Sequence, residues 1–184
     1  RDLPLDERET RRLIDRALSR AGWTADSETL THAKGARPVR GEARAIAEWP
    51  TANGPADYVL FDGETPVAVV EAKRRAANVR DDVYQAARYA EGYEGDGRPL
   101  IAFATNGRAF HRQFAEASGI WMLDLRQQEN HPRAIEDWYT PEGLRALLET
   151  DTAAAHASLA REGFGYDFGL RDYQQRAITA VEGA

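Results

Sequence analysis

The sequence predicts an α/β domain, a mixed β-sheet flanked by helices. Three observations predict it. Apolar residues recur at helical spacing near residues 6–21 and 81–93. Between these lie two apolar runs, 57–61 and 67–73, separated by a turn-forming segment. The order of elements is helix, strands, helix, strands. With 42% hydrophobic and 29% charged residues, the 184-residue chain has the balance of one sizeable soluble globular domain.

Each element has a local cause. Asp6 to Ala21 is expected to be helical, because Leu13, Ile14, Ala17 and Leu18 form one stripe and Gly22 stops it. The polar stretch from Thr24 to Arg44 reads as a loop or irregular segment, and Ala45 to Trp49 as a short strand. Asp57 to Phe61 and Val67 to Lys73 read as a hairpin around Asp62-Gly63-Glu64-Thr65-Pro66. Val67 to Val70 is apolar on both faces, which predicts a central strand. Asp81 to Tyr93 is expected to be a helix with Val83, Ala86, Ala87 and Ala90 on one side. Pro99 to Thr105 is an apolar strand ending at the turn signal Asn106-Gly107, with further strands expected over Arg108 to Phe114 and Ile120 to Leu125. Pro141 to Glu149 is a short helix N-capped by Thr140. Asp151 to Gly165 reads as a linker and Arg171 to Val181 as a last helix, so the expected division is 1–150 and 151–184. Trp23, Trp121 and Trp138 are most simply core.

Composition narrows the function. The chain has no cysteine, which excludes disulfides, zinc fingers and thiol nucleophiles. The charged segment Arg1 to Arg12 has no apolar signal core, and no apolar run is long enough for a membrane span, so a cytoplasmic protein without a membrane partner is expected. The net charge of −6 counts against a protein that simply coats nucleic acid. His32, His111, His131 and His156 have no metal-ligand spacing. Of the 24 basic residues only Lys34 and Lys73 are lysines. A lysine in this arginine-rich background is more informative than usual.

The constellation that carries chemistry is Asp57, Glu71 and Lys73. With the turn near Gly63 or Glu64, Asp57 falls opposite Val70 or Glu71. Glu71 and Lys73 are two apart on one strand and share a face. Charges after four apolar residues of a central strand need partners. Two carboxylates supply the hard oxygen ligands that Mg²⁺ prefers, with Mn²⁺ a substitute. Such an ion neutralises a phosphate and lowers the pKa of a water, while Lys73 positions or helps deprotonate that water and stabilises the developing negative charge. The combination suits phosphodiester hydrolysis.

Pro55-Ala-Asp57 followed by Glu71-Ala72-Lys73 at the end of an apolar strand resembles the PD-(D/E)xK nuclease superfamily, which implies a restriction-endonuclease-like core. The wider string is more specific. Glu9-Thr10-Arg11, the Asp57 hairpin, Glu71-Ala72-Lys73, Gln85-Ala-Ala-Arg-Tyr89 and Ala104-Thr-Asn-Gly107 resemble the N-terminal endonuclease domain of the R subunit of type I restriction-modification enzymes. Leu170-Arg-Asp-Tyr-Gln-Gln-Arg-Ala-Ile178 resembles the segment that opens the superfamily 2 helicase motor of the same polypeptide.

The resemblance implies a type I site-specific deoxyribonuclease acting on double-stranded DNA. Its metal ligands would be Asp57, Glu71 and the main-chain carbonyl of Ala72, with Glu9 reaching the metal directly or through water. Lys73 would be the catalytic lysine. Gln85 and Tyr89 would contact DNA or support the site. Gln174 would read adenine in a complete motor. ATP would serve only that motor, since this chain has no Gly-rich phosphate loop followed by Lys-Ser/Thr. Separate specificity and modification subunits would choose the target.

Blander readings stand beside these. An ExK tripeptide alone occurs by chance, and Lys73 could simply form a salt bridge with Glu71 or Asp57. Gln85 and Tyr89 share a helical face and could be an ordinary interface pair. Glu9 could serve only the helix N-terminus. Arg74 and Arg75 could contact phosphate or form a solvated strand end. Lys34, Arg37, Arg40 and Arg44 could track phosphates or form a surface loop. The rival functions are another nuclease of this fold, RecB-like or a repair enzyme, and a non-catalytic DNA-binding or subunit-docking module.

Overall fold

The computed structural model describes residues 7–74, 78–151, 154, 157–158 and 171–182. The chain divides into two compact units, Arg1–Leu147 and Leu148–Ala184. The first is an α/β unit around one mixed seven-stranded sheet.

Its strands are β1 (Thr24–Ala25), β2 (Ala43–Trp49), β3 (Ala56–Asp62), β4 (Thr65–Ala72), β5 (Ile101–Thr105), β6 (Ile120–Asp124) and β7 (Arg133–Ile135). They lie side by side in sequence order, so β4 occupies the middle. Two pairings are parallel, β1 with β2 and β4 with β5, and the other four are antiparallel. The run Val67 to Val70 is buried on both faces, as a central strand requires. The hairpin turns at Gly63 with φ 61°, a conformation open to glycine.

Helices cover both faces. The parallel step from β4 to β5 needs a crossover, and α2 (Val83–Glu91) supplies it. Its buried Val83, Ala86, Ala87 and Ala90 share a cluster with Val59, Phe61, Val69, Ala102 and Ala104. α1 (Glu7–Arg20) buries Ile14 and Leu18. It is tied to the opposite face, where the Tyr58 hydroxyl donates to Asp15 Oδ1 at 2.9 Å. The other Asp15 oxygen accepts from the Ser27 amide at 3.0 Å and the Ser27 hydroxyl at 2.7 Å. α3 (Pro141–Glu149) is capped by Thr140, whose Oγ1 accepts from the Gly143 amide, and it buries Leu144. Trp23 and Trp121 are buried, and Trp138 is half-buried edge-on against Phe103. Among the described residues no helix is long and apolar enough to cross a membrane.

Several expectations need correction. Arg108 to Phe114 is not a strand. Arg112–Ala117 winds into 3₁₀ turns, and the Ser118 hydroxyl accepts from the His111 amide and donates to the Phe114 carbonyl. Both edges of β6 are already taken, by β5 and by the unforeseen β7, so no strand position remains there. Asn106-Gly107 therefore opens a long connection and not a tight hairpin. The stretch from Thr24 to Arg44 contains β1, a 3₁₀ turn at His32–Lys34 capped by Thr31, and the start of β2.

In the second unit α4 (Asp172–Glu182) matches the expected last helix, and the Gln174 side chain accepts from the Arg171 amide at its start. Most of the expected linker, 152–153, 155–156 and 159–165, lies outside the described residues.

Asp15 serves three donors at once, so Asp15→Ala should destabilise the chain more than Tyr58→Phe does. Leaving buried donors unpaired costs roughly 1–3 kcal/mol each, so about 2–4 kcal/mol is expected for Asp15→Ala, against about 1 kcal/mol for Tyr58→Phe. Urea unfolding of the two variants checks the order.

Candidate active site

The β3–β4 register decides where the charges meet. Tyr58 lies opposite Val70 and Val59 opposite Val69. Continuing that register sets Asp57 opposite Glu71. The Asp57 carboxylate is held at both oxygens. Oδ2 accepts from the Ala72 amide at 2.7 Å, and Oδ1 accepts from the Arg11 guanidinium at 2.6 Å. Glu71 Oε1 lies 2.9 Å from Lys73 Nζ. The two carboxylate side chains are only 15% and 7% exposed.

Lys73 follows directly on β4, and its amide donates to the Thr105 carbonyl of β5. Its ammonium extends toward α2, donates to Gln85 Oε1 at 2.9 Å and sits 3.5 Å from Asp82. Gln85 passes the chain on, donating to the Tyr89 hydroxyl at 2.8 Å. One helical turn separates Gln85 from Tyr89, which is why both reach the same side. Five of the expected residues, Asp57, Glu71, Lys73, Gln85 and Tyr89, thus converge at the carboxyl end of β4.

Burial dominates the electrostatics. It raises the Glu71 pKa to about 7, helped by the nearby Asp57 charge and opposed by Lys73. Burial also raises Asp57 above the usual carboxylate range, against the Ala72 amide and Arg11, which favour its charged form. For Lys73, burial acts to lower the pKa, but Glu71 and Asp82 outweigh it and raise the value. The ammonium is therefore held protonated, in an ion pair with a carboxylate that titrates near neutrality.

Arg11 entered the sequence reading only within the Glu9-Thr10-Arg11 string, with no role of its own, and Glu48 did not enter it. Arg11 reaches Asp57 from α1 and also pairs with Glu48 at 3.3 Å and Glu7 at 3.5 Å. Glu48 belongs to β2, where Ala47 faces Tyr58 and Trp49 faces Ala56, so Glu48 stands across from Asp57. Its φ of 54° makes it the one non-glycine residue with positive φ among the described residues. That conformation costs roughly 1–2 kcal/mol. The available signals were weak: a Glu7/Arg11 spacing of one helical turn, and one acidic residue among the apolar residues from Ala45 to Trp49.

The remaining expected residues lie elsewhere. Glu9 is exposed on α1, and the α1 carboxylate whose charge acts on Asp57 is Glu7. Arg74 is exposed, and Arg75 lies outside the described residues. Arg37 donates to the His32 and Ala36 carbonyls of its own loop, Arg40 is exposed, and Arg44 pairs with Glu42. Lys34 donates to the Glu28 carbonyl and, with Arg8, Arg11 and Arg12, lines an open cleft of about 630 Å³. Gln174 is exposed in the second unit.

The donors suit a hard divalent cation. Two carboxylates on adjacent strands, with the Ala72 main chain between Glu71 and Lys73, offer oxygen donors only, and burial holds both carboxyls above their ordinary pKa. Among the described residues no three or more acidic, histidine or cysteine side chains gather into a metal cage. An ion held here would keep several of its waters, as Mg²⁺ commonly does.

A mixed sheet with helices on both faces and a part-buried cluster of ionic side chains at the end of its central strand make this an α/β unit. The chain belongs to the family of type I restriction enzyme endonuclease subunits: residues 24–148 match the family described as the second domain of the type I restriction enzyme EcoKI endonuclease subunit. The EcoKI endonuclease subunit of Escherichia coli (strain K12) is 37% identical over an alignment of 224 residues that covers all of this chain and 19% of that protein. The chain thus spans about a fifth of that relative's length. A solved fragment of an HsdR subunit ascribed to a type I restriction enzyme from Vibrio vulnificus YJ016 is similar at 24% identity and a TM-score of 0.48, over 99% of this chain and 33% of the other.

The raised Glu71 pKa has a stability consequence. A carboxyl group that titrates at about 7 when folded and at 4.5 ordinarily favours the folded chain below pH 4.5. That contribution is lost as pH rises to 7 and beyond. Glu71→Gln removes the titration. In a metal chelator, the stability of this variant relative to the parent should grow between pH 4.5 and 7 and level off above. At about 1.4 kcal/mol per pKa unit, the gain is at most about 3 kcal/mol. Thermal melts of both proteins across pH 4–8 measure it.

Proposed function

We propose that the chain is a Mg²⁺-dependent endonuclease domain that hydrolyses phosphodiester bonds of double-stranded DNA within a type I restriction complex. The observation that carries this reading is the pairing of buried Glu71 and part-buried Asp57 with a lysine ammonium linked through Gln85 to Tyr89. A structural salt bridge would need only Lys73 and one carboxylate. Here a second carboxylate lies beside the first and draws a second cation, Arg11, from another element.

In this reading Asp57, Glu71 and the Ala72 carbonyl hold the metal. Mg²⁺ supplies Lewis-acid polarisation of the scissile phosphate and a readily deprotonated water. Lys73, protonated and fixed by Glu71 and Gln85, orients the attacking water and balances negative charge as it develops on the phosphate oxygens. Its raised pKa favours this electrostatic role over that of a base. Gln85 and Tyr89 keep the ammonium aimed. Residues 1–150 form the endonuclease domain, and 151–184 lead into an ATP-driven helicase motor, where Gln174 would read adenine. Specificity and modification subunits are the partners, and target choice rests with them.

In the complete restriction enzyme, Lys73→Ala should reduce cleavage by roughly 100-fold or more, the scale of losing one group that stabilises transition-state charge. Folding and ATP-driven translocation should be unchanged. Cleavage at the parental rate would refute the assignment. Calorimetric titration of this chain with Mn²⁺ should also reveal a site that Asp57→Ala removes. A non-catalytic docking module would show neither effect.

A further inference from the structure

We infer that Arg11 is the resident counter-ion of Asp57, a positioning residue that holds this carboxylate when no divalent cation is bound and competes with the cation for it. The inference rests on the reading of Asp57 and Glu71 as metal ligands, and it concerns a residue that this reading does not use.

The contacts of Asp57 set up the competition. Oδ2 is committed to the Ala72 amide at 2.7 Å. Oδ1 is the oxygen without a backbone tie, and it is the atom that Arg11 occupies at 2.6 Å. A guanidinium and a dication on one carboxylate repel each other. The ion pair is largely withdrawn from water, with side chains 17% and 15% exposed, so solvent screens that repulsion poorly.

The surroundings hold a cation at this point. Three carboxylates grip the guanidinium, those of Glu7, Glu48 and Asp57. One of them, Glu48, has the left-handed backbone conformation directly across the strand from Asp57. Yet the seat of Arg11 is incomplete: its Nε is buried without a hydrogen-bond partner. The side chain also lines the open cleft of about 630 Å³ beside α1, which offers room for its withdrawal. Arg11 is thus well attracted, imperfectly satisfied and free to retreat, as a displaceable counter-ion should be.

The test uses the 184-residue chain, Mn²⁺ as the probe and two readouts that do not depend on cleavage. Calorimetric titration compares the parent with Arg11→Met, Arg11→Lys and Asp57→Ala. Removing a positive charge a few ångströms from a dication should tighten Mn²⁺ binding of Arg11→Met by roughly tenfold or more. Arg11→Lys keeps the charge and should stay near the parent. Thermal melting then compares chelator with saturating Mn²⁺. Arg11→Met should melt below the parent in chelator, where Asp57 has lost its counter-ion, and the deficit should close in Mn²⁺. If Arg11→Met does not fold, Arg11→Gln, which can still donate to Asp57, takes its place with the same expectations. Unchanged or weaker Mn²⁺ affinity in the neutral variant, or an equal melting deficit in both conditions, overturns the role of Arg11 while leaving the metal site standing. A parent and variants that all bind no Mn²⁺ overturn the metal site, and this inference with it.

Discussion

Two carboxylates share one buried corner of this domain, and neutralising them is the constraint around which the site is arranged. Asp57 and Glu71 stand across from each other at the end of a hairpin whose other residues are almost all apolar. Neither can be moved away without shifting the register of the central strands, because a slip of one residue would turn every buried side chain to the other face. The charge must therefore be met where it stands. Lys73 meets Glu71, Arg11 meets Asp57, and the Ala72 amide takes the remaining Asp57 oxygen. The raised pKa of both acids shows that these partners do not fully offset burial.

The partners come from three directions, and each is positioned by something other than the site. Lys73 is delivered by β4, whose extension is secured by the bond from its amide to β5. Gln85 and Tyr89 are delivered by α2, which lies where it does because a parallel crossover from β4 to β5 must cover that face. Arg11 is delivered by α1, anchored one turn further along by Asp15, Tyr58 and Ser27. Tyr58 is adjacent to Asp57, so the strand that presents the acid also fixes the helix that presents its counter-ion. Changes at the Asp15 anchor should therefore be felt at the site.

The parts legible in the sequence are those with local causes. The hairpin showed itself through an Asp-Gly turn between two apolar runs, and α3 through its Thr140 cap and apolar spacing. Lys73 stood out because the chain almost never uses lysine. Gln85 and Tyr89 were visible as a one-turn pair. The misreadings have non-local causes. Arg108 to Phe114 has the composition of a strand, but β5 and β7 already occupy both edges of β6. β1 is two residues long and exists only because β2 lies beside it. Glu48 carries a strained backbone angle that no composition announces, and Arg11 had no role of its own in the Glu9-Thr10-Arg11 string.

By itself, then, the sequence determined the secondary elements with strong periodicity, the central place of β4, and the presence of two acids and a lysine at the end of a hairpin. These follow from side-chain size, turn chemistry and the two-residue repeat of a strand, all of which act between near neighbours. Only the tertiary structure decided which charges neutralise which. That choice depends on how α1 and α2 approach the sheet, and the approach is set by packing between residues dozens of positions apart. Arg11 and Asp57 are 46 residues apart in the chain and 2.6 Å apart in the fold.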